Sequence, residues 1–152
     1  MLGVENLDER AARQDVGEVL VRYASGIDRR DWGLFRSCFT DDCHAEYGGI
    51  GTWDGVESIT SFMVEAHAGA GHTLHRMTNI EVELELDVEG GVGAGGQRAR
   101  AHSYVDVLVM APDGVHGVNA AGFYDDELVR TAEGWRIASR RFTMVRTQAL
   151  GR

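Results

Sequence analysis

Lysine is absent from this chain: its 15 basic residues are all arginine, against 24 acidic ones, for a formal net charge of −9. A surface without clustered cations cannot gather phosphates, so this balance argues against a nucleic-acid partner. No apolar run approaches the ~20 residues that a helix needs to cross a bilayer, so no membrane partner and a cytoplasmic location are expected. Cysteine is scarce. Cys38 and Cys43 lie close together without a metal-ligand pattern or a disulfide framework around them, and two reduced, partly buried thiols are expected.

What is present is an ordinary globular balance, 43% hydrophobic and 26% charged over 152 residues, enough for one domain with a real core. Residues 1–5 read as a loose leader. The spacing of Ala11, Ala12, Val16, Val19, Leu20 and Tyr23 predicts a helix over 7–25, capped by Asn6 or Asp8 and weakened at Ser25-Gly26. A second helix is expected over 31–39, with Asp31 as its N-cap and Trp32, Leu34, Phe35 and Phe39 on its buried side. A short strand over 44–47 and a third helix over 56–68 follow. Four long strands are then expected, at 72–86, 98–110, 115–130 and 134–146. The glycine-rich stretch 89–97 joins strand to strand, whereas a phosphate cradle joins a strand to a helix, so it reads as a hairpin loop. Pro112-Asp113-Gly114 reads as a tight turn. Helices first and antiparallel strands after them give an α+β class: one domain over 1–152, its core about 7–146, with some three helices packed on one side of a curved, mostly antiparallel sheet.

The stretch around His75 is where chemistry is expected. A histidine at the mouth of a strand can point into an interior that a sheet holds rigid, and imidazole exchanges protons near neutrality. It needs an orienting acid, and Asp28, just past the first helix, can supply one. Parity is a difficulty. His75 and Met77 are odd-numbered, but so are Glu81, Glu83 and Glu85, while Ile80, Val82 and Leu84 are even; an inward His75 therefore requires a bend or bulge near Asn79. Arg140 and Arg141 must face opposite ways, and the inward one needs a carboxylate or an anionic ligand. His102, Tyr104 and Asp106 share one strand face, which is either solvent or the mouth of a polar cavity. No metal site is read: His72 and His75 face opposite sides of a strand.

Together the motifs Tyr23-x4-Asp28-Arg29-Arg30-Asp31-Trp32, Tyr47-Gly48-Gly49-Ile50-Gly51-Thr52-Trp53-Asp54-Gly55, His72-x2-His75-x3-Asn79 and Gly134-Trp135-x4-Arg140 resemble the SnoaL-like branch of the nuclear-transport-factor-2-like proteins. That branch includes scytalone dehydratase, bile acid 7α-dehydratase and hexachlorocyclohexane dehydrochlorinase. The resemblance implies a cone-shaped α+β barrel. It implies a catalytic Asp28–His75 pair, with Tyr23 as a third catalytic position. Tyr47, Trp53 and Arg140 are implied as substrate-binding positions, and His102 and Asn119 fall near two further ones.

The resulting expectation is a cofactor-independent lyase, dehydratase-like, or an isomerase, acting on a small cyclic apolar substrate such as a steroid or polyketide. A polyketide cyclase or epoxide hydrolase is the alternative within enzymes, and a non-catalytic binding protein of the same fold the alternative outside them. Association through the sheet is expected, as a trimer before a dimer.

Overall fold

A computed structural model describes residues 6–85 and 97–151. The leader over 1–5 and most of the glycine-rich stretch over 89–97 lie outside the described residues. Three helices, α1 (Leu7–Asp28), α2 (Trp32–Arg36) and α3 (Val56–His67), interleave with six strands. The strands are β1 (Phe39–Glu46), β2 (Thr52–Asp54), β3 (Thr73–Glu85), β4 (Arg98–Met110), β5 (Gly117–Thr131) and β6 (Gly134–Leu150). They form a single curved, unclosed sheet in the order β2-β1-β6-β5-β4-β3, antiparallel except where β1 runs parallel to β6. Among the described residues no helix is long and apolar enough to cross a membrane.

The N-terminus of α1 is a reciprocal cap: Asn6 accepts from the Glu9 backbone N–H, and the Glu9 carboxylate accepts from that of Asn6. Val16, Val19, Leu20, Tyr23 and Ile27 form its buried face, whereas Leu7 stays 81% exposed. The helix does not stop at Ser25-Gly26. Gly26 is buried there because α2 comes so close that an added Cβ would lie 2.8 Å from the Phe35 backbone nitrogen. The second helix is shorter than its apolar spacing suggests. Asp31 caps it as expected, but Phe39 belongs to β1, paired with Ile137 of β6 and ringed by Tyr23 and Phe35. At the hairpin before β5, the Asp113 carboxylate takes the backbone N–H groups of Val115 and His116, which keeps both residues in the turn.

The conflict of parity in β3 is resolved by a bulge. Between Thr78 and Glu81 the strand spends one residue more than β4 opposite, and Asn79 adopts φ 48°, in the left-handed region where asparagine is tolerated. Thr73, His75 and Met77 face the helices before it, Ile80, Val82 and Leu84 after it, and the three glutamates face out. Cys38 and Cys43 are free and buried, and burial pushes both thiols up to about 11.

The close approach of α1 and α2 at Gly26 gives a stability test. Gly26→Ala forces a methyl group against the Phe35 backbone and is expected to cost about 1–3 kcal/mol, the range for overpacking a filled core. Urea unfolding midpoints of the two chains measure it, and an unchanged midpoint rejects the close contact.

Candidate functional site

The end of α1 and the start of β3 meet at one carboxylate. Asp28 Oδ1 lies 2.7 Å from His75 Nδ1 and accepts from the Thr73 hydroxyl at 3.0 Å, while Oδ2 accepts the His75 backbone N–H at 2.8 Å. The His75 side chain is 7% exposed and that of Asp28 19%. Burial pushes the Asp28 carboxyl up, but the ring and backbone hydrogen bonds of His75 outweigh it and hold the group below its ordinary value.

Arg30 fastens the same corner. Helix α1 ends with Asp31 N–H bonded to the Gly26 carbonyl and Arg30 N–H to that of Ile27, a closure that puts Arg30 at φ 57° where glycine is usual. Its guanidinium then donates to the Ile27 carbonyl, the Thr73 hydroxyl and the Gly71 carbonyl, each at 2.8 Å, which offsets the strained backbone.

A second group lies on β5 and β6. Arg140, turned inward, donates through Nε and Nη2 to both oxygens of Asp126 at 2.7 Å, and both side chains are fully buried. The guanidinium sits between two rings, 3.8 Å from the Tyr124 centroid and 4.1 Å from that of Tyr23. Its Nη1 has no hydrogen-bond partner among the described residues. The hydroxyls of Tyr23 and Tyr47 are 2.7 Å apart, with that of Tyr124 3.4 Å from Tyr23. Burial pushes all three phenols above their ordinary value, so they remain hydroxyl donors across neutral pH. The Tyr23 ring joins the two groups, edge-on to His75 with centroids 6.5 Å apart.

Of the positions singled out in the sequence, Asp28, His75, Tyr23, Tyr47 and Arg140 thus come together inside. Trp53 stands at the margin, stacked on Phe62 at 4.2 Å and edge-on to Tyr47. The fold does not bring His102 and Asn119 to this group. His102 pairs with Asp125 on the outer face of the sheet, and Asn119 donates to Asp106 and to the Val107 carbonyl. It is Ala101, Ser103 and Val105 of β4 that turn inward. Two surface depressions, of about 750 and 650 Å³, lie along the outer sheet face at His102 and beside the turn after Tyr47, and neither is lined by Asp28 or His75. Sequence reasoning missed Tyr124, Asp126, Thr73 and Arg30. Parity with Leu128 assigns the first two to the inner face, but the run Asp125-Asp126-Glu127 reads as a solvated edge.

A family model for the SnoaL-like domain matches residues 8–141. An uncharacterised protein of Mycobacterium tuberculosis strain H37Rv is 27% identical over 142 residues, covering 92% of this chain and 88% of its own. Among solved structures, a type 2 hexachlorocyclohexane dehydrochlorinase is 25% identical with a TM-score of 0.73, covering 95% of this chain and 90% of that one. A provisionally assigned scytalone dehydratase from Novosphingobium aromaticivorans is 18% identical with a TM-score of 0.75, covering 94% and 88%, a likeness of fold.

The depressed Asp28 carboxyl sets a pH window. Its stabilisation is complete above the ordinary value of 3.8 and is lost as pH falls through the lower folded value. Asp28→Asn is therefore expected to be less stable than the wild type at pH 7, with the gap closing below about pH 4. Urea midpoints from pH 7 to pH 2.5 measure this, and a gap that stays constant rejects it.

Proposed function

The chain belongs to the SnoaL-like domain family, and from that premise we propose that it is a cofactor-independent lyase or isomerase in which His75, oriented by Asp28, takes a proton from carbon. The observation that carries the reading is the 2.7 Å hydrogen bond between Asp28 and His75 in the interior. A carboxylate held in its charged form accepts the Nδ1 hydrogen, which leaves the Nε2 lone pair as the base. A structural role alone gives little reason to keep this pair where an apolar contact serves as well.

Removal of a proton from carbon builds negative charge on the substrate. On this reading the hydroxyls of Tyr23 and Tyr47, 2.7 Å apart, with the guanidinium of Arg140 over the Tyr23 ring, stabilise an oxygen that takes up that charge. In an elimination the electron pair of the broken C–H bond forms the double bond, and the leaving group departs with the electrons of its own bond. The proton on His75 then goes to that group. In an isomerisation it returns to a different carbon. The name of the dehydrochlorinase relative, itself an elimination, supports the class. The Tyr, Trp and Phe rings packed in the core around the pair favour a small, mainly apolar cyclic substrate.

Cyclic hydroxy-ketones and steroid-like compounds, screened for elimination or isomerisation, test the reading. His75→Ala is expected to abolish turnover with the fold intact. Asp28→Asn is expected to lower it on the order of 10⁴-fold, as when an orienting aspartate is neutralised in a serine protease. Turnover retained by His75→Ala sinks the mechanism.

The chain also assembles, on this reading, as a homotrimer through the outer face of the sheet. Leu74 on β3 and Tyr104 on β4 are exposed large apolar side chains on the face turned away from the three helices. Light scattering at micromolar concentration is expected to give a trimer mass, and a monomer mass rejects it.

A further inference from the structure

A second imidazole lies beside the dyad without a part in the proton transfer. His67, the last residue of α3, has its ring centroid 6.1 Å from that of His75, with the planes at 45°, and 6.1 Å from that of Trp32. Its Nδ1 is 2.8 Å from the Met63 carbonyl. A carbonyl oxygen only accepts, so Nδ1 carries the hydrogen and Nε2 keeps its lone pair. Asp28 fixes the same tautomer in His75. Two neighbouring rings thus have Nδ1 committed to the framework, and among the described residues neither Nε2 takes part in a hydrogen bond.

We propose that His67 is a substrate-binding residue whose Nε2 accepts a hydrogen bond from an O–H or N–H group of the substrate, beside the carbon that His75 deprotonates. The inference rests on the dyad reading for the proton transfer and adds the class of substrate: a ring carrying a hydroxyl or N–H donor close to its acidic C–H. A purely apolar ring would strip water from Nε2 and return nothing, the situation in which sites built to hydrogen-bond discriminate most strongly.

The groups facing His67 keep it an acceptor. Burial is the largest influence and disfavours a proton there; the Met63 carbonyl favours one. His75 from β3 and Arg30 from the turn after α1 then oppose it, against Asp28 at the end of α1. Trp32 of α2 adds an apolar wall. The balance holds His67 below its ordinary value, neutral while His75 cycles through its charged form.

Phenol and anisole, alike in shape but differing in the O–H donor, are the probes. In the full chain labelled with ¹⁵N-histidine, long-range ¹H–¹⁵N spectra at pH 7 are expected to show His67 as the Nδ1–H tautomer. Phenol should move its Nε2 signal and anisole leave it in place. His67→Phe should weaken phenol binding roughly tenfold, the scale of one hydrogen bond, while His67→Gln, whose amide oxygen still accepts, should recover part of the loss. Circular dichroism checks that both variants fold. An Nε2–H tautomer or a protonated ring at pH 7, a His67 signal unmoved by phenol, or equal phenol affinity in His67→Phe each overturn the proposal. These readouts use a chain with His75 intact and need no turnover, so this inference and the dyad reading fail separately.

Discussion

The carboxylate of Asp28 is the joint on which the site depends. Its two oxygens take three donors from two residues of β3, one of them a backbone N–H. A ring held by one hydrogen bond can swing about it. Here the strand itself is clamped to the helix end, and the ring inherits its direction from that clamp. The charge can be retained at low exposure because each donor is stronger toward an ionised acceptor than toward a neutral one. Arg30 closes the circuit by donating to the same Thr73 hydroxyl that serves Asp28, so the strained turn after α1 and the start of β3 hold each other.

The group on β5 and β6 answers a different problem, that of keeping a cation in a core. Both charges of the Arg140–Asp126 pair are out of water, which costs several kcal/mol per ion unless geometry and further contacts return it. Two parallel hydrogen bonds and two aromatic faces do so here. Burial raises the Asp126 carboxyl from its ordinary value, against the pull of the guanidinium on both its oxygens. The arginine charge is thus balanced inside the core by a carboxylate of the same sheet, and its other face rests on the Tyr23 ring.

How much of this was legible in the sequence depended on whether a residue's role was local. Periodicity gave the helical faces, and a parity clash in β3 located the bulge at Asn79, because one wrong step turns every later side chain to the wrong side. Alternation alone showed that Arg140 and Arg141 face opposite ways, and the family resemblance singled out Arg140 as the inward one. Element ends were less legible. Gly26 reads as a terminator when its function is to let Phe35 approach, and Phe39 reads as helical when its partner, Ile137, lies at the far end of the chain. Asp126 and Tyr124 escaped for a different reason: their parity points inward, but a run of three acids reads as solvated until the arginine partner is seen on the next strand. His102 and Asn119 were placed by analogy with loops of other lengths, and the strand faces they occupy turned out to be the outer ones.

The parallel pairing of β1 with β6 also bears on how the molecule is made. Strands β3 to β6 can zip by successive hairpins, each contact close in sequence. The hydrogen bond from Arg141 to Glu46, by contrast, joins residues 95 positions apart, and loop closure of that length is what slows folding. A ribosome delivers β6 after every other strand described, so β1, already able to pair with β2, must wait with its other edge unpaired until β6 emerges. Asp28 and His75 are both synthesised well before that. The corner where Asp28 meets His75 is therefore available first, and the strand that brings Arg140 closes over it at the end.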